Sequence, residues 1–489
     1  MNRRDFLKES AQFAWKTSAF ALLLSEGKWV LGNEKAFAET AADPRLILLK
    51  SIKGPVLLPT DSRYAAKAQV FSERHSDIHP TVIALCTTES DIVRSLQWAL
   101  QYKVPFRVKS GGHSYEAYSS CNGLVIDLSL MNSITIDSKT NTAVIGAGAR
   151  LGLIYETLAA QGFAFVGGSC PFVGIGGLAQ GGGFGMLSRE YGLVIDNILS
   201  FRLITADGTI LTVSENENPD LFWACRGGGG GNFGIITQYE FKIHPLKKVS
   251  LFRMSWPATQ TQEAFLAWQT WAGGIPNSIT SIFSLSASHS GISSAHLTGQ
   301  FTGTAAELTS ILKPLMTAIS PKDSKFWDLN FIDAIHYYSG GDKGAPEMFK
   351  AKSDYMSKPW TAEEVAFVLQ KLVAPGNQGV TLMFDHYGGA IADVAPDATA
   401  FAHRAGIFAG VQYYAGWSAA AETAGRVASL NAVHQSLRPV MSGQSYPNYI
   451  DADLANWAEA YYGENLPRLR TIKAKIDPNR VFDFPQAIR

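Results

Sequence analysis

The chain has 489 residues, of which 46% are hydrophobic, so it can bury a large core and is long enough for two or three domains. Its 42 basic and 42 acidic residues balance, which argues against nucleic acid or an acidic membrane surface as a partner and favours a small molecule. The four cysteines show neither the spacing of a metal site nor the density of a disulfide scaffold, so we predict no metal. Whether Cys86, Cys121 and Cys225 are free thiols or include one disulfide stays open.

The first residues are typical of a targeting segment. Arg3-Arg4 followed by Phe6-Leu7-Lys8 matches the twin-arginine export pattern, and Ala36-Phe37-Ala38 offers a cleavage site. The apolar run between them is too short to span a bilayer. We therefore predict a signal peptide over residues 1–38, export by the twin-arginine machinery to the periplasm or the outside of the cell, and a mature form without a membrane anchor.

Residues 45–247 interleave helices and strands without a regular βαβ rhythm, which predicts an α+β domain. Strands are predicted at 81–85, 106–109, 124–128, 134–136, 143–145, 198–205, 210–213 and 235–243, and helices at 90–102 and 151–161, after which residues 163–166 lead into a glycine-rich stretch.

Residues 248–430 differ in character, because strands alternate there with amphipathic helices and aromatic residues are frequent. A tail with two further helices follows. Strands are predicted at 250–256, 278–287, 296–302, 380–387 and 407–414, and helices at 262–271, 305–319, 362–373, 418–436, 457–462 and 466–476.

A glycine-rich stretch over residues 167–197 carries the main signal of a cofactor. It holds ten glycines, too many for an ordinary helix or strand, because each glycine costs conformational entropy when it is ordered. Glycine amides can approach a phosphate closely, so the stretch predicts a phosphate-bearing cofactor. Cys170 lies at its entrance, and a Ser-Gly-Gly turn upstream presents His113.

A nicotinamide site of the Rossmann type is the less favoured use of these glycines. Residues 174–179 fit the pattern G-x-G-x-x-A, but no clear strand precedes them and no acidic residue in a following strand could bind a ribose. A lone histidine and a lone cysteine are usually structural, yet His113 and Cys170 each lie in a glycine turn of their own.

Three motifs together resemble the berberine bridge enzyme-like flavin oxidases of the vanillyl-alcohol oxidase and p-cresol methylhydroxylase superfamily. They are KSGGHSY around His113, GSCPFVGIGGLAQGGGFG around Cys170, and the tail pattern from Tyr446 to Phe482. The resemblance covers about residues 45–489 and implies an α+β fold. In that fold, residues 45–247 would form a two-part FAD-binding domain of the p-cresol methylhydroxylase type. Residues 248–430 would form a substrate domain with an antiparallel sheet flanked by helices. Residues 431–489 would form a C-terminal segment that packs on the FAD domain.

The same resemblance implies that FAD is bound covalently through His113 and Cys170. Lys109 stands where the family usually has arginine, a change that keeps the charge but loses the guanidinium fork. The other residues that we expect at the cofactor are Ser110, Gly111, Gly112, Ser114, Val173, Gly174, Gly176, Gly177, Gly181, Gly182, Gly183, Gly185, Asp196, Asn197, Gly234, Ile235, Ile236 and Asn448.

The resemblance also implies hydride transfer from substrate to flavin, for which a base must take the substrate's hydroxyl proton. Tyr446 matches the tyrosine that several relatives use for this, and Tyr115 matches a residue that faces substrate in sugar-oxidising relatives. Many relatives carry a glutamate at the position of Gly410, so that base is absent here. Gln412, Asp385 and Tyr387 are the candidates for a partner of Tyr446; that Asp385 and Tyr387 only shape the pocket stays open.

Val173, three residues after the linked cysteine, favours dioxygen as the electron acceptor, since relatives with valine there tend to use it and a bulkier leucine tends to block it. We therefore predict an oxidase that makes hydrogen peroxide and acts on an alcohol-type carbon, in first place the anomeric carbon of a sugar or oligosaccharide. Three alternatives remain: oxidative tailoring or cyclisation of a secondary metabolite, a dehydrogenase with a non-oxygen acceptor, and a non-catalytic sugar-binding protein with a vestigial flavin.

Overall fold

The structure is a computed structural model that describes residues 21–23, 29–31, 44–288, 291–340, 344–377 and 379–489. The chain divides into two units, residues 1–51 and 52–489. In the first, strand Ala21–Leu23 pairs antiparallel with Trp29–Leu31, and a helix spans Pro44–Ser51. Most of the predicted signal peptide lies outside the described residues. Among the residues that are described, no helix combines the length and the apolar character needed to cross a membrane.

The second unit begins with a small sheet that ends in the His113 turn. Its helix Glu89–Tyr102 starts at Thr88, whose side chain accepts a hydrogen bond from the amide of Asp91, and it buries Ile92 and Leu96. The four strands of the sheet lie in the order Val56–Leu57, Val82–Leu85, Leu124–Asp127 and Phe106–Lys109, with the last three parallel; a short helix spans Tyr64–Ala68.

A five-stranded antiparallel sheet follows, and the glycine-rich stretch runs between its strands. The helices of this region span Leu151–Ala159, Ile175–Leu178, Ser188–Tyr191 and Pro219–Ala224. The strands lie in the order Ile210–Ser214, Ile198–Ile204, Ile235–Lys242, Thr142–Gly146 and Ile134–Asp137, and Phe163–Ala164 pairs separately with His244–Pro245.

Residues 248–417 build a seven-stranded antiparallel sheet. Phe252, Met254 and Trp256 alternate with exposed or half-buried residues and pack with four helices on one face, namely Thr261–Ala272, Ala305–Ala318, Ala362–Leu372 and Thr423–Leu437. The strands lie in the order Asp323–Asn330, Lys248–Pro257, Gly291–Phe301, Ile279–Ser288, Thr381–His386, Ala409–Trp417 and Met348–Met356. The remaining helices span Phe331–Tyr338, Ala390–Asp393, Trp457–Tyr462 and Leu466–Ile476.

The α+β fold class is confirmed, including an antiparallel sheet flanked by helices, whereas the domain boundaries stay predictions. The helix expected at 418–436 begins five residues later, at Thr423. Strands Asp323–Asn330 and Met348–Met356 and helix Phe331–Tyr338 were not predicted. The four cysteines all lie in described parts of the chain, and none of them forms a disulfide.

Candidate active site

The two glycine turns that carry His113 and Cys170 meet in the fold. The Nε2 atom of His113 lies 3.3 Å from the Sγ atom of Cys170. The backbones touch beside them: a Cβ on Gly111 would lie 2.3 Å from the nitrogen of Gly174, and a Cβ on Gly174 would lie 2.2 Å from the nitrogen of Gly111. Only glycine fits at both positions. The ring of Phe71 stacks on the His113 imidazole at a centroid distance of 3.7 Å and holds it in place.

These turns fit a flavin dinucleotide. A second glycine cluster, over residues 227–231, contacts the glycine-rich stretch, because the amides of Gly227 and Gly229 both donate to the carbonyl of Gln180, each at 2.9 Å. A Cβ placed on Gly177 would meet no atom within 4 Å, so open space adjoins the backbone there. A flavin dinucleotide needs two kinds of contact. The imidazole and the thiol are within reach of one ring system, and the glycine backbone beside them can be approached by a phosphate.

Several predicted cofactor residues use their side chains to hold the surrounding chain. The Lys109 ammonium donates to the carbonyl of Lys67 and lies 3.4 Å from Asp127 Oδ2, and burial lowers its pKa. The Asp196 carboxylate accepts hydrogen bonds from both terminal nitrogens of Arg404, at 3.0 and 2.6 Å. Ser110, Ser114, Asn197 and Asn448 hydrogen-bond to Ala147, Tyr118, His244 and Leu178 respectively, while Ile235 and Ile236 are buried in a strand.

Tyr446 is buried against the glycine-rich stretch. Its hydroxyl oxygen accepts hydrogen bonds from the amides of Gly183 at 2.7 Å and Phe184 at 3.3 Å, and from the Asn448 side chain at 3.0 Å. Burial raises the pKa of Tyr446, these three hydrogen bonds lower it, and the nearby Asp385 charge raises it; the net direction is upward. The phenol is therefore protonated at neutral pH unless another group takes its proton.

A cavity between the glycine-rich stretch and the seven-stranded sheet brings Tyr446 and Asp385 together. Among the described residues, none donates a hydrogen bond to the Asp385 carboxylate, and burial raises its pKa to about 7. A carboxyl group that titrates near neutral pH beside a tyrosine is suited to proton transfer. The cavity is lined by Phe184, Ser353, Asp354, Tyr355, Asp385, Tyr387, Gly410, Val411, Tyr446 and Tyr449.

Comparisons with known proteins identify the family. Residues 80–214 match the family model of an FAD binding domain, and residues 445–489 match the model described as berberine and berberine like. The FAD-linked oxidoreductase YgaK of Bacillus subtilis (strain 168) is 37% identical over 84% of this chain and 91% of its own length. Physcomitrella patens BBE-like 1 superposes with a TM-score of 0.85 at 30% identity, over 92% of this chain and 99% of that structure.

The chain belongs to the berberine bridge enzyme-like family. It is accordingly an FAD-linked oxidoreductase. Two further solved structures are similar to it. A chitooligosaccharide oxidase has a TM-score of 0.82 at 26% identity, and Phl p 4, a grass pollen allergen with glucose dehydrogenase activity, has 0.83 at 28% identity; both matches cover 91% of this chain and 99% of that structure.

In this berberine bridge enzyme-like protein, the structure explains why position 410 carries no carboxylate. A Cβ on Gly410 would lie 3.0 Å from the ring of Tyr387 and 3.7 Å from the ring of Tyr355, which leaves little space for a side chain. Gly410 lies directly opposite Asp385 on the neighbouring strand. Residues opposite each other point to the same face of a sheet, so Asp385 presents a carboxylate to the cavity that Gly410 also borders.

Tyr115 and Gln412 lie together behind the cavity wall. The Gln412 amide nitrogen donates to the Tyr115 hydroxyl at 3.1 Å. The Tyr115 ring stacks on Tyr449 with a centroid distance of 5.5 Å and an angle of 7° between the planes, and Tyr449 meets Tyr446 edge to face at 4.9 Å. Gln412 is not part of the cavity lining, whereas Asp385 lines the cavity together with Tyr446 and acts on it through its charge, so Asp385 is the partner that the geometry favours.

Sequence reasoning missed two aromatic walls of the cavity, Tyr355 and Tyr449. Tyr449 ends the motif Tyr446-Pro447-Asn448-Tyr449, so its position three residues after Tyr446 was a signal that could have found it. Tyr355 lies on strand Met348–Met356, which was itself not predicted, and no local pattern marks it.

Proposed function

We propose that this protein is an exported oxidase that removes hydride from an alcohol-type carbon, in first place the anomeric carbon of a sugar or oligosaccharide, and passes the electrons to dioxygen. The observation that carries the proposal is the cavity that joins Asp385 and Tyr446 and is lined by Phe184, a residue of the glycine-rich stretch that also carries Cys170. Since Asp385 titrates near neutral pH, the cavity holds a base at the pH where such an enzyme works.

We further propose that FAD is joined covalently to both His113 and Cys170. The separation of 3.3 Å between the imidazole and the thiol supports this, because both side chains can then reach one ring system. When bound, FAD supplies the two-electron acceptor for the hydride. The Phe71 ring keeps the imidazole fixed, which favours attachment at a single position.

The substrate's hydroxyl proton is assigned to the pair of Tyr446 and Asp385. Three hydrogen bonds donated to the Tyr446 oxygen stabilise a negative charge there, so the phenol can pass its proton on as it receives the substrate's. Asp385 is the final acceptor in this scheme, because its pKa of about 7 allows it both to take and to release a proton near neutral pH.

A sugar is favoured as the substrate by the walls of the cavity and by two structural neighbours. Tyr355, Tyr387 and Tyr449 offer ring faces for the C–H groups of a sugar and hydroxyls for its oxygens. A chitooligosaccharide oxidase and an allergen with glucose dehydrogenase activity are among the similar structures. The second of these favours one other candidate, a dehydrogenase that uses an acceptor other than dioxygen, whereas Val173 favours the oxidase.

The test uses the purified holoenzyme. Precipitation with acid should leave the yellow colour in the protein pellet, and a panel of mono- and oligosaccharides and aromatic alcohols should include a sugar that bleaches the flavin without oxygen and yields peroxide in air. Bleaching by a sugar without peroxide would support the dehydrogenase instead. Colour lost to the supernatant would refute the covalent links, and an aromatic alcohol as the best donor would refute the sugar assignment.

Export is tested separately by fusing residues 1–38 to a reporter that is active only outside the cytoplasm. We expect activity for the native leader and none when Arg3 and Arg4 are both replaced by lysine. Equal activity of the two leaders would contradict twin-arginine export.

A further inference from the structure

Two stacked rings of the site rest on a buried cluster of charges. We name the rings of Tyr115 and Tyr449 the tyrosine shelf; Tyr449 lines the cavity, and Tyr115 lies parallel behind it. Tyr115 is followed directly by Glu116, and Tyr449 precedes Asp451 by two residues. Both carboxylates are buried, with 4% and 3% of their surface exposed. Each half of the shelf is therefore attached to one buried acid.

Lys350 joins these two acids. It lies on strand Met348–Met356 and is 1% exposed, and its ammonium contacts Glu116 Oε1 at 2.5 Å and Asp451 Oδ1 at 2.6 Å. The half-exposed Asp453 lies farther away, at 3.4 Å. A buried lysine that holds two carboxylates from distant parts of the chain fixes the distance between them.

Each acid also has a cation of its own. Glu116 Oε2 accepts from Arg74 at 3.1 Å and lies 3.2 Å from His75, while Asp451 Oδ2 accepts from Lys352 at 2.5 Å. Burial raises the pKa of Glu116, but the hydrogen bond with His75 and the charges of Lys350 and Arg74 bring it to about 2. Without Lys350 both acids would keep a partner, and only the bridge between them would be lost.

Burying three charges in one place is expensive, and well-packed apolar residues often stabilise a fold as well or better. The arrangement is therefore weak evidence for a role in stability alone. Its geometry fits a role in specificity. Among the described residues, the acids that the Lys350 ammonium contacts come from two segments, one that carries His113 and Tyr115 and one that carries Tyr446 and Tyr449.

We propose that Lys350 is a positioning residue for substrate binding: by bridging Glu116 and Asp451 it holds the tyrosine shelf at the spacing that the substrate requires. The proposal rests on the function proposed above, in which this cavity takes the substrate. Lys350 acts through the shelf and touches neither substrate nor cofactor in this scheme.

The test compares wild-type holoenzyme with K350M, using the sugar that reduces the flavin fastest in the panel. Loss of the bridge leaves two acids facing each other, so we expect KM to rise about tenfold while kcat changes by less than about threefold. Hydrogen exchange of the same protein should become faster at residues 113–118 and 446–453, and this readout needs no substrate. An unchanged KM together with unchanged exchange at these segments would overturn the proposal.

Two further variants separate positioning from stability. K473M removes another buried lysine, 3% exposed and paired with Asp477 at 2.7 Å, and should lower stability without raising KM. In K350M/E116Q one of the two facing charges is gone, so KM should return at least about threefold toward the wild-type value. The proposal would be overturned if K350M and K473M had the same KM, or if the KM of the double variant did not return toward the wild-type value, because either result would show a purely structural role.

The exchange measurement also separates the two proposals. If no sugar reduces the flavin, the proposed function fails, while faster exchange confined to the two segments still supports the bridge. If K350M does not fold, the double variant takes its place: faster exchange at residues 113–118 and 446–453 alone supports the bridge, and faster exchange throughout the chain refutes it.

Discussion

Replacing Asp385 by asparagine keeps the shape of the side chain and removes a carboxylate whose pKa burial raises from 3.8 to about 7. Such a group binds its proton more tightly in the folded chain than in the unfolded chain. Its contribution to stability is therefore most favourable below pH 4 and is lost as the pH rises from about 4 to about 7. At 1.36 kcal/mol per pKa unit the loss is about 4 kcal/mol at most, less where water in the cavity screens the charge.

We therefore expect D385N to raise the free energy of unfolding at about pH 8 by up to about 4 kcal/mol and to leave it unchanged at about pH 4. Denaturant unfolding followed by tryptophan fluorescence measures this directly. Asp207 offers a matched control, because the Thr205 hydroxyl and the Thr209 amide lower its pKa, so D207N should not stabilise the protein at any pH. A destabilised D385N at about pH 8 would refute the assignment of a half-buried carboxylate that accepts no hydrogen bond from the described residues.

The same variant tests the chemistry. In the wild-type enzyme kcat/KM should rise with pH around a midpoint of about 7 as Asp385 loses its proton. D385N should lower kcat/KM by about 10²–10⁴-fold and remove this rise, while the content of bound flavin stays the same. A rise around the same midpoint in D385N would show that another group is the proton acceptor.

Further substitutions test the covalent links to FAD, the space beside Gly410 and the choice of electron acceptor. H113A and C170A should each keep flavin in the acid pellet through the remaining link, and the double variant should release all of it. G410E should lower the free energy of unfolding by about 1–3 kcal/mol, measured with denaturant, because its Cβ would lie 3.0 Å from the Tyr387 ring. V173L should slow reoxidation by dioxygen about tenfold in stopped-flow absorbance and leave reduction by substrate unchanged, since tenfold corresponds to only about 1.4 kcal/mol of barrier.

Alternation of apolar and polar residues predicted most strands of the seven-stranded sheet. Strand Lys248–Pro257 shows why the sequence pattern was sufficient there. Phe252, Met254 and Trp256 are buried on the face that the helices cover, while Arg253 between them is exposed. From Phe252 to the end of the strand one face is buried and the other is exposed or half-buried, so the sequence there shows a period of two.

Strand Met348–Met356 breaks this rule, because it buries charges. Lys350, Lys352 and Asp354 are at most 4% exposed, and a local pattern with three charges in five residues indicates a surface segment. Their partners lie 234, 99 and 84 positions away along the chain, in Glu116, Asp451 and Arg438. No window along the sequence could show that these charges are neutralised, so the strand and its cavity residue Tyr355 were missed together.

Motifs predicted more of the site residues than periodicity did. A glycine that allows close approach of two backbones belongs to a local sequence motif, whereas the residues that line a cavity come from distant parts of the chain. His113, Cys170 and Tyr446 were predicted from their motifs, and the structure brings the first two within 3.3 Å of each other. That Lys109 lies at the cofactor stays a prediction. Its ammonium is directed to Lys67 and Asp127, an arrangement that depends on a parallel strand pairing and that no motif records.

Under the proposed function, the pairing of positions 385 and 410 lets Asp385 serve as the base although position 410 is glycine. Because Asp385 and Gly410 lie directly opposite on neighbouring strands, a carboxylate from either position can reach the same volume. With Tyr387 filling the space above Gly410, only position 385 can supply it here. A carboxylate at position 385 approaches the substrate from a different angle than one at position 410. We therefore expect the shape of the accepted substrate to differ between the two arrangements, while the carboxylate accepts the substrate's proton in both. The double variant G410E/D385N tests this directly: with the acid at position 410 instead of 385, it should not recover the wild-type substrate preference, because the carboxylate then approaches the substrate from the other strand and shares its space with the Tyr387 ring. Recovery of the wild-type preference would refute this reasoning.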